Sequence, residues 1–150
     1  MHLRVPPPAV FAICAALIFL IDTLLPFFSV GFPGQIVLTL LLVAAGVLTG
    51  AQAVLSFLHN KTTVDPREPK TTTALVTGGV YRFTRNPMYL GLLCLLLATS
   101  VYSGTLAAVI IVPAFIWYLT EFQIKPEEAA LQSNFGETYE SYRKRVRRWI

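Results

Sequence analysis

Residues 86–120, NPMYLGLLCLLLATSVYSGTLAAVIIVPAFIWYLT, carry no formal charge. Such a stretch exceeds the ~20 apolar residues that cross a hydrocarbon core, but Ser103-Gly104 allows a tight reversal near its middle. Met88 to Tyr102 makes only about 22 Å of helix, less than the ~30 Å core. Thr105 to Glu121 then returns, with Pro113 placed to kink it. The expected element is a short helical hairpin whose polar ends share one side of a membrane.

Working toward the N-terminus, residues 5–60 contain a single formal charge, Asp22. The whole chain of 150 residues is 55% hydrophobic and only 13% charged, a balance outside the soluble range. A first span is expected from Pro8 to Phe28, stiffened at its start by Pro6-Pro7-Pro8. Pro26, Gly31, Phe32, Pro33 and Gly34 mark the outer turn. A second span follows from Gln35 to Leu58, where Gly46, Gly50, Ala51 and Ala53 permit close helix approach. Asp22 is read as a partnered structural acid near the outer interface, Gln52 as an interhelical hydrogen-bonding group, and His59 as an interfacial polar residue.

The twelve lysines and arginines fall at Arg4, between Lys61 and Arg85, and between Lys125 and Arg148. The connections Pro26–Gln35 and Tyr102–Thr105 carry none. That asymmetry is the positive-inside pattern of four spans with both termini in the cytoplasm; the expected location is a bacterial or archaeal cytoplasmic membrane. It argues against a nucleic-acid partner, whose basic contacts would not segregate this way. Cys14 and Cys94 lie in apolar runs and read as small hydrophobes. No histidine or cysteine stands at ligand spacing from His59, so no metal site is expected. One arginine followed by a long apolar run without a small-x-small cleavage site reads as a first helix that is kept.

The fold class is thus an all-α integral membrane protein with four transmembrane helices, the last two a short hairpin, and a cytoplasmic amphipathic C-terminal helix. A single domain covers residues 1–150: two spans in 1–60, a cytoplasmic loop over 61–87, the hairpin over 88–121 and the tail over 126–150. In the tail, Glu127, Leu131, Phe135, Tyr139, Tyr142, Val146 and Trp149 recur at three- or four-residue spacing and fall near one helix face. Arg143, Lys144, Arg147 and Arg148 occupy the other, and Gly136 should bend the helix. Such a tail lies along the inner leaflet or folds over the bundle.

Between the two apolar halves sits the polar bridge 75–91, LVTGGVYRFTRNPMYLG. Taken singly, Gly78-Gly79 is a turn, Tyr81 and Tyr89 are belt aromatics, and Arg82 and Arg85 are inner-face anchors. Their coincidence suggests a site, because backbone groups near Gly79 to Pro87 need partners where water is scarce. A bound polar ligand would satisfy them. Glu127 and Glu128 follow the membrane exit, as first-turn acids of a solvated helix or, for Glu127, as a carboxylate aimed inward at a hydroxyl or an amino group. The chain shows no nucleophile paired with a base, no P-loop and no dinucleotide fingerprint. Catalytic residues are therefore unassigned, and group transfer from an activated donor suits a chain that offers so little side-chain chemistry.

LVTGGVYRFTRNPMYLG, followed by EEAALQSNFGETYESYRKRV, resembles the isoprenylcysteine carboxyl methyltransferases and related phospholipid methyltransferases over residues 72–149. The resemblance implies a small helical membrane bundle holding S-adenosylmethionine in a cytoplasmic pocket. It implies cofactor contacts from Thr73, Ala74, Leu75 and Val76, from Tyr81, from Asn86, Pro87, Met88 and Tyr89, and from Glu127. Two positions depart from the family pattern. Asn86 replaces the usual histidine, and Gln123, with Lys125 nearby, stands where carboxylate methylators place an arginine. Losing that bidentate clamp weakens the case for a carboxylate acceptor more than the case for methyl transfer. Gln123 and Arg85 are assigned to the acceptor side, Arg85 as a brace for the loop. The implied activity is methyl transfer to a lipid-embedded, amphiphilic acceptor, which includes an isoprenylcysteine-like carboxylate; the partners are membrane lipids and a prenylated or lipid-like small molecule. Two competing readings are a sterol-type reductase with a nicotinamide cofactor and a non-catalytic membrane partner on the same scaffold.

Overall fold

Proline opens two of the helices. Pro7 and Pro87 occupy first-turn positions of α1 (Pro7–Leu24) and α3 (Pro87–Ser103), where the missing N–H has no intrahelical acceptor to lose. Pro126 instead lies just inside α5 (Lys125–Arg145), where the chain is already helical. The remaining helices are α2 (Gln35–His59) and α4 (Ala108–Leu119). This computed structural model describes residues 5–59 and 75–150, and among them there is no strand, only an isolated bridge between Ser29 and Thr105. The integral membrane character rests on three helices long and apolar enough to cross a bilayer: Pro7–Leu24, Gln35–Ser56 and the long helix that begins at Ala108. α3 is a shorter apolar helix.

α3 is the central element. It packs most extensively on α2 and also meets α1 and α4. Gly46 of α2 and Gly91 of α3 bring the two backbones together: a Cβ on either would lie 2.9 Å from the other's carbonyl oxygen. The core between α1, α3 and α4 is Val10, Ile18, Tyr89, Leu96, Phe115, Leu119 and Ile124. The outward faces, such as Leu40, Leu41, Val47 and Leu48 on α2, remain apolar and exposed, as lipid-facing surfaces should.

At the end of the bundle that holds the α1–α2 turn, the Ser29 hydroxyl donates to the Asp22 carboxylate, giving that acid its partner. The Val30 N–H donates to the Gly104 carbonyl at 2.9 Å, and the Gln35 side chain donates to the Val101 and Tyr102 carbonyls at 2.7 and 2.9 Å. These bonds tie the α1–α2 turn to the hairpin tip.

Two tail expectations need correction. The helix does not stop before the tail: it runs from α4 through a π-helical turn, Thr120–Ile124, directly into α5. No glycine stands there to end it, and the π turn absorbs the extra residue. Nor does the tail continue as one helical face through Trp149. Gly136 bends α5 (φ 49°, ψ −122°), and the helix ends at Arg145, with Val146 extended. Residues 147–149 therefore turn back across the bundle.

Candidate active site

The bridge between α2 and α3 is built by short local turns. Gly79 takes φ 58°, a left-handed conformation that glycine adopts without strain, and opens the 3-10 turn Gly79–Arg82. That turn buries Tyr81 and leaves Arg82 and Phe83 outside. Thr84 is buried; its hydroxyl accepts from the Asn86 N–H at 3.1 Å and donates to the Arg148 carbonyl at 3.3 Å.

Part of this backbone finds its partners within the chain. The returning C-terminal segment does much of that work. The Arg85 N–H donates to the Arg147 carbonyl at 3.0 Å, the Asn86 side-chain amide donates to the Arg148 carbonyl at 2.9 Å, and the Tyr142 hydroxyl donates to the Tyr81 carbonyl at 2.7 Å. Because the helix ends at Arg145, the Arg147 and Arg148 carbonyls are not taken up by helical bonds and are free to accept.

Tyr89, one turn into α3, donates its hydroxyl to the Glu127 carboxylate in the first turn of α5. Tyr89 is buried and Glu127 half-buried. Tyr81 lies in the same electrostatic neighbourhood. Burial foremost, then Tyr142 and Glu127, pushes its phenol well above the ordinary range, so it stays neutral. A carboxylate flanked by two neutral phenols can accept from a hydroxyl or an ammonium group, while the ring faces attract cations. Among the described residues no group of His, Cys, Asp and Glu could hold a metal ion.

The structure gathers the other expected site residues unevenly. Val76 is buried in a cluster with Ala53 and Tyr81, with Met88 packed against it. Leu75 packs instead on Tyr139, Tyr142 and Val146. Pro87 is fully buried and Asn86 is held by Arg148. Gln123 is buried and donates its amide to the Val5 carbonyl at 2.9 Å, and Lys125 pairs with Glu121 on the exposed side. Thr73 and Ala74 lie outside the described residues.

The sequence reading missed Glu128 and Arg148. Glu128 receives the Arg148 guanidinium in a two-point fork, at 3.0 and 2.7 Å, and Arg85 at 3.1 Å. The fork raises the Arg148 pKa beyond its usual value. Arg85 also donates to the Tyr139 hydroxyl at 3.3 Å. Arg148 is thus not part of a solvated basic face. Glu128 carried one available signal: it adjoins Glu127, and neighbours on a helix point about 100° apart, so the two acids had to face different partners.

Comparison with known proteins gives the family. The family described as phospholipid methyltransferase matches residues 34–138. The chain is 38% identical over 72 residues to the protein-S-isoprenylcysteine O-methyltransferase of Schizosaccharomyces pombe, covering 48% of this chain and 30% of that one. The mouse protein of the same name is 31% identical over 107 residues, 71% of this chain and 38% of its own length. An uncharacterized protein of Haemophilus influenzae is 44% identical over 63 residues, 42% of this chain and all of that protein. The chain therefore spans well under half the length of the named methyltransferases it matches. With a matched region that runs from the start of α2 past the acidic pair, this chain belongs to the phospholipid methyltransferase family.

Proposed function

We propose that the protein is an S-adenosylmethionine-dependent methyltransferase of the membrane, with four spans, both termini in the cytoplasm, and an amphiphilic acceptor that enters from lipid. The observation that carries this reading is the convergence of Tyr89 and Glu127 at the inner ends of α3 and α5. The residues fit the cofactor: one carboxylate for a ribose hydroxyl or the amino group, and two neutral phenols whose rings suit a sulfonium. When bound, S-adenosylmethionine supplies an electrophilic methyl group that a nucleophile takes by direct displacement.

Tyr81, Tyr89 and Glu127 would hold that group, and the Asn86-Pro87 turn, Met88, Leu75 and Val76 would shape its walls. Thr73 and Ala74 are assigned to the same wall by resemblance alone. These residues act by orientation and exclusion of water, which suffices for a large part of such a barrier. Arg85 braces the wall through Glu128 and Tyr139. Gln123 is placed toward the acceptor, with its orientation fixed by Val5.

Relatives named protein-S-isoprenylcysteine O-methyltransferase support a prenylated acceptor as the first to test, with a phospholipid amine beside it. Protein reconstituted in vesicles, supplied with methyl-labelled S-adenosylmethionine, should transfer label to a lipid-phase species. Titration with S-adenosylhomocysteine should show saturable binding that NADPH does not reproduce. Binding of NADPH alone would replace this reading with the reductase one, and binding of neither would leave a non-catalytic scaffold.

A further inference from the structure

We infer that Glu128 is a positioning residue that clamps residues 146–149 over the Thr84–Asn86 turn and so sets the spacing of Tyr89 and Glu127. The inference rests on the donor-site reading above and assigns the adjacent acids separate tasks: Glu127 faces the donor, and Glu128 holds the wall.

Four observations converge on that division. First, Glu128 is occupied by two guanidinium groups, with side-chain exposures of only 9% for Arg85 and 11% for Glu128. A carboxylate that already holds two cations has little capacity left for a substrate. Second, the fork with Arg148 fixes direction as well as distance, because two parallel N–H···O bonds tolerate little rotation. Third, the backbone of the clamped segment is what the loop leans on: the carbonyls of Arg147 and Arg148 accept from Arg85, Thr84 and Asn86, immediately before the helix that carries Tyr89. Fourth, the next residue closes the other side. The Trp149 indole donates to the Thr120 hydroxyl at 3.2 Å, and its ring packs on the core that contains Tyr89, Leu119 and Ile124. Thr120 opens the π turn that aims α5. The segment therefore touches the Tyr89 side and the Glu127 side of the site together.

The test uses the full chain with Trp117→Phe, which leaves Trp149 as the single tryptophan of the two in the sequence. Trp149 emission then reports whether the segment is seated, and calorimetry with S-adenosylhomocysteine reports the donor site. Glu128→Gln removes the charge, and Arg148→Lys keeps charge but loses the fork, a milder change should the first variant fold poorly. Both are expected to shift Trp149 emission to the red and weaken S-adenosylhomocysteine binding by on the order of 10²-fold at preserved helicity, the cost of a small displacement at a distance. A shifted emission with unchanged affinity, or emission that neither variant moves, overturns the inference. If the unsubstituted protein seats Trp149 but binds no S-adenosylhomocysteine, the donor reading has failed and Glu128's role falls with it. Loss confined to the variants supports both.

Discussion

The Tyr89 hydroxyl donates to the Glu127 carboxylate across 38 residues of sequence. The bond joins the first turn of α3 to the first turn of α5, and it exists because the hairpin returns to its starting face while the π turn keeps the chain helical from α4 into α5. A carboxylate that accepts from a donor's hydroxyl or ammonium group should do so less strongly when amidated, because the amide loses the charge and keeps only one acceptor oxygen. Glu127→Gln is therefore expected to weaken S-adenosylhomocysteine binding by roughly 10- to 100-fold, the range of a hydrogen bond to a charged group. Calorimetry on detergent-solubilised protein measures it, and unchanged affinity in a folded variant removes Glu127 from the site.

The Tyr81 phenol supplies a pH prediction. Its folded pKa lies above the ordinary value of 10.0, chiefly through burial. The folded state therefore holds this proton more tightly than the unfolded chain does. The associated stability is fully present below about pH 10, the ordinary phenol value, and is lost as pH rises beyond it. Thermal unfolding followed against pH should show a fall above that point that is smaller in Tyr81→Phe. Through the neutral range Tyr81 stays uncharged, so its titration should not move donor affinity between about pH 6 and about pH 9.

Much of this could be read from the sequence because charge and apolar length leave few choices. A charge-free run from Asn86 to Thr120 has no soluble home, and Ser103-Gly104 places its turn. Local chemistry likewise marked Gly79 and Pro87. What escaped were relationships that depend on where the chain goes after a helix ends. Val146 and Trp149 keep helical spacing in the sequence, but nothing local records that the helix stops at Arg145 or that Arg148 finds Glu128. Arg148 looked like one more inner-face cation because its partner lies twenty residues back, in a pair of acids of which only one was read as functional. The π turn was equally hidden, since Thr120–Ile124 has no residue that requires it.

The α2–α3 contact predicts a contrast between glycines. At Gly91 an added Cβ would sit 2.9 Å from the Gly46 carbonyl oxygen and 3.2 Å from the Gly50 nitrogen, both backbone atoms. Neither can swing aside as a side chain would. Gly91→Ala should force the helices apart and destabilise the protein by about 1–3 kcal/mol, the usual range for overpacking. At Gly50 the added Cβ meets nothing within 4 Å, so Gly50→Ala should be neutral or gain up to about 1 kcal/mol from helix propensity. Unfolding midpoints in one detergent compare the two. Equal destabilisation would show that the close approach is not what these residues protect.

The hairpin tip gives the corresponding contrast in a loop. Gly104 ends α3 with φ 71°, and a Cβ there would lie 2.5 Å from the Val30 carbonyl oxygen. Gly34, with φ 87°, meets nothing within 4 Å. Alanine at either position carries the left-handed penalty of about 1–2 kcal/mol. At Gly104 it also pushes against the strand of chain whose Val30 N–H donates back to the Gly104 carbonyl, so that bond and the steric fit are lost together. Gly104→Ala should therefore lower the unfolding midpoint clearly more than Gly34→Ala. Because the tip lies at the opposite end of α3 from Tyr89, donor affinity measured on the folded fraction should be the same for both. A drop in affinity with Gly104→Ala would mean that the hairpin tip sets the register of α3 along its whole length, and with it the position of Tyr89 against Glu127.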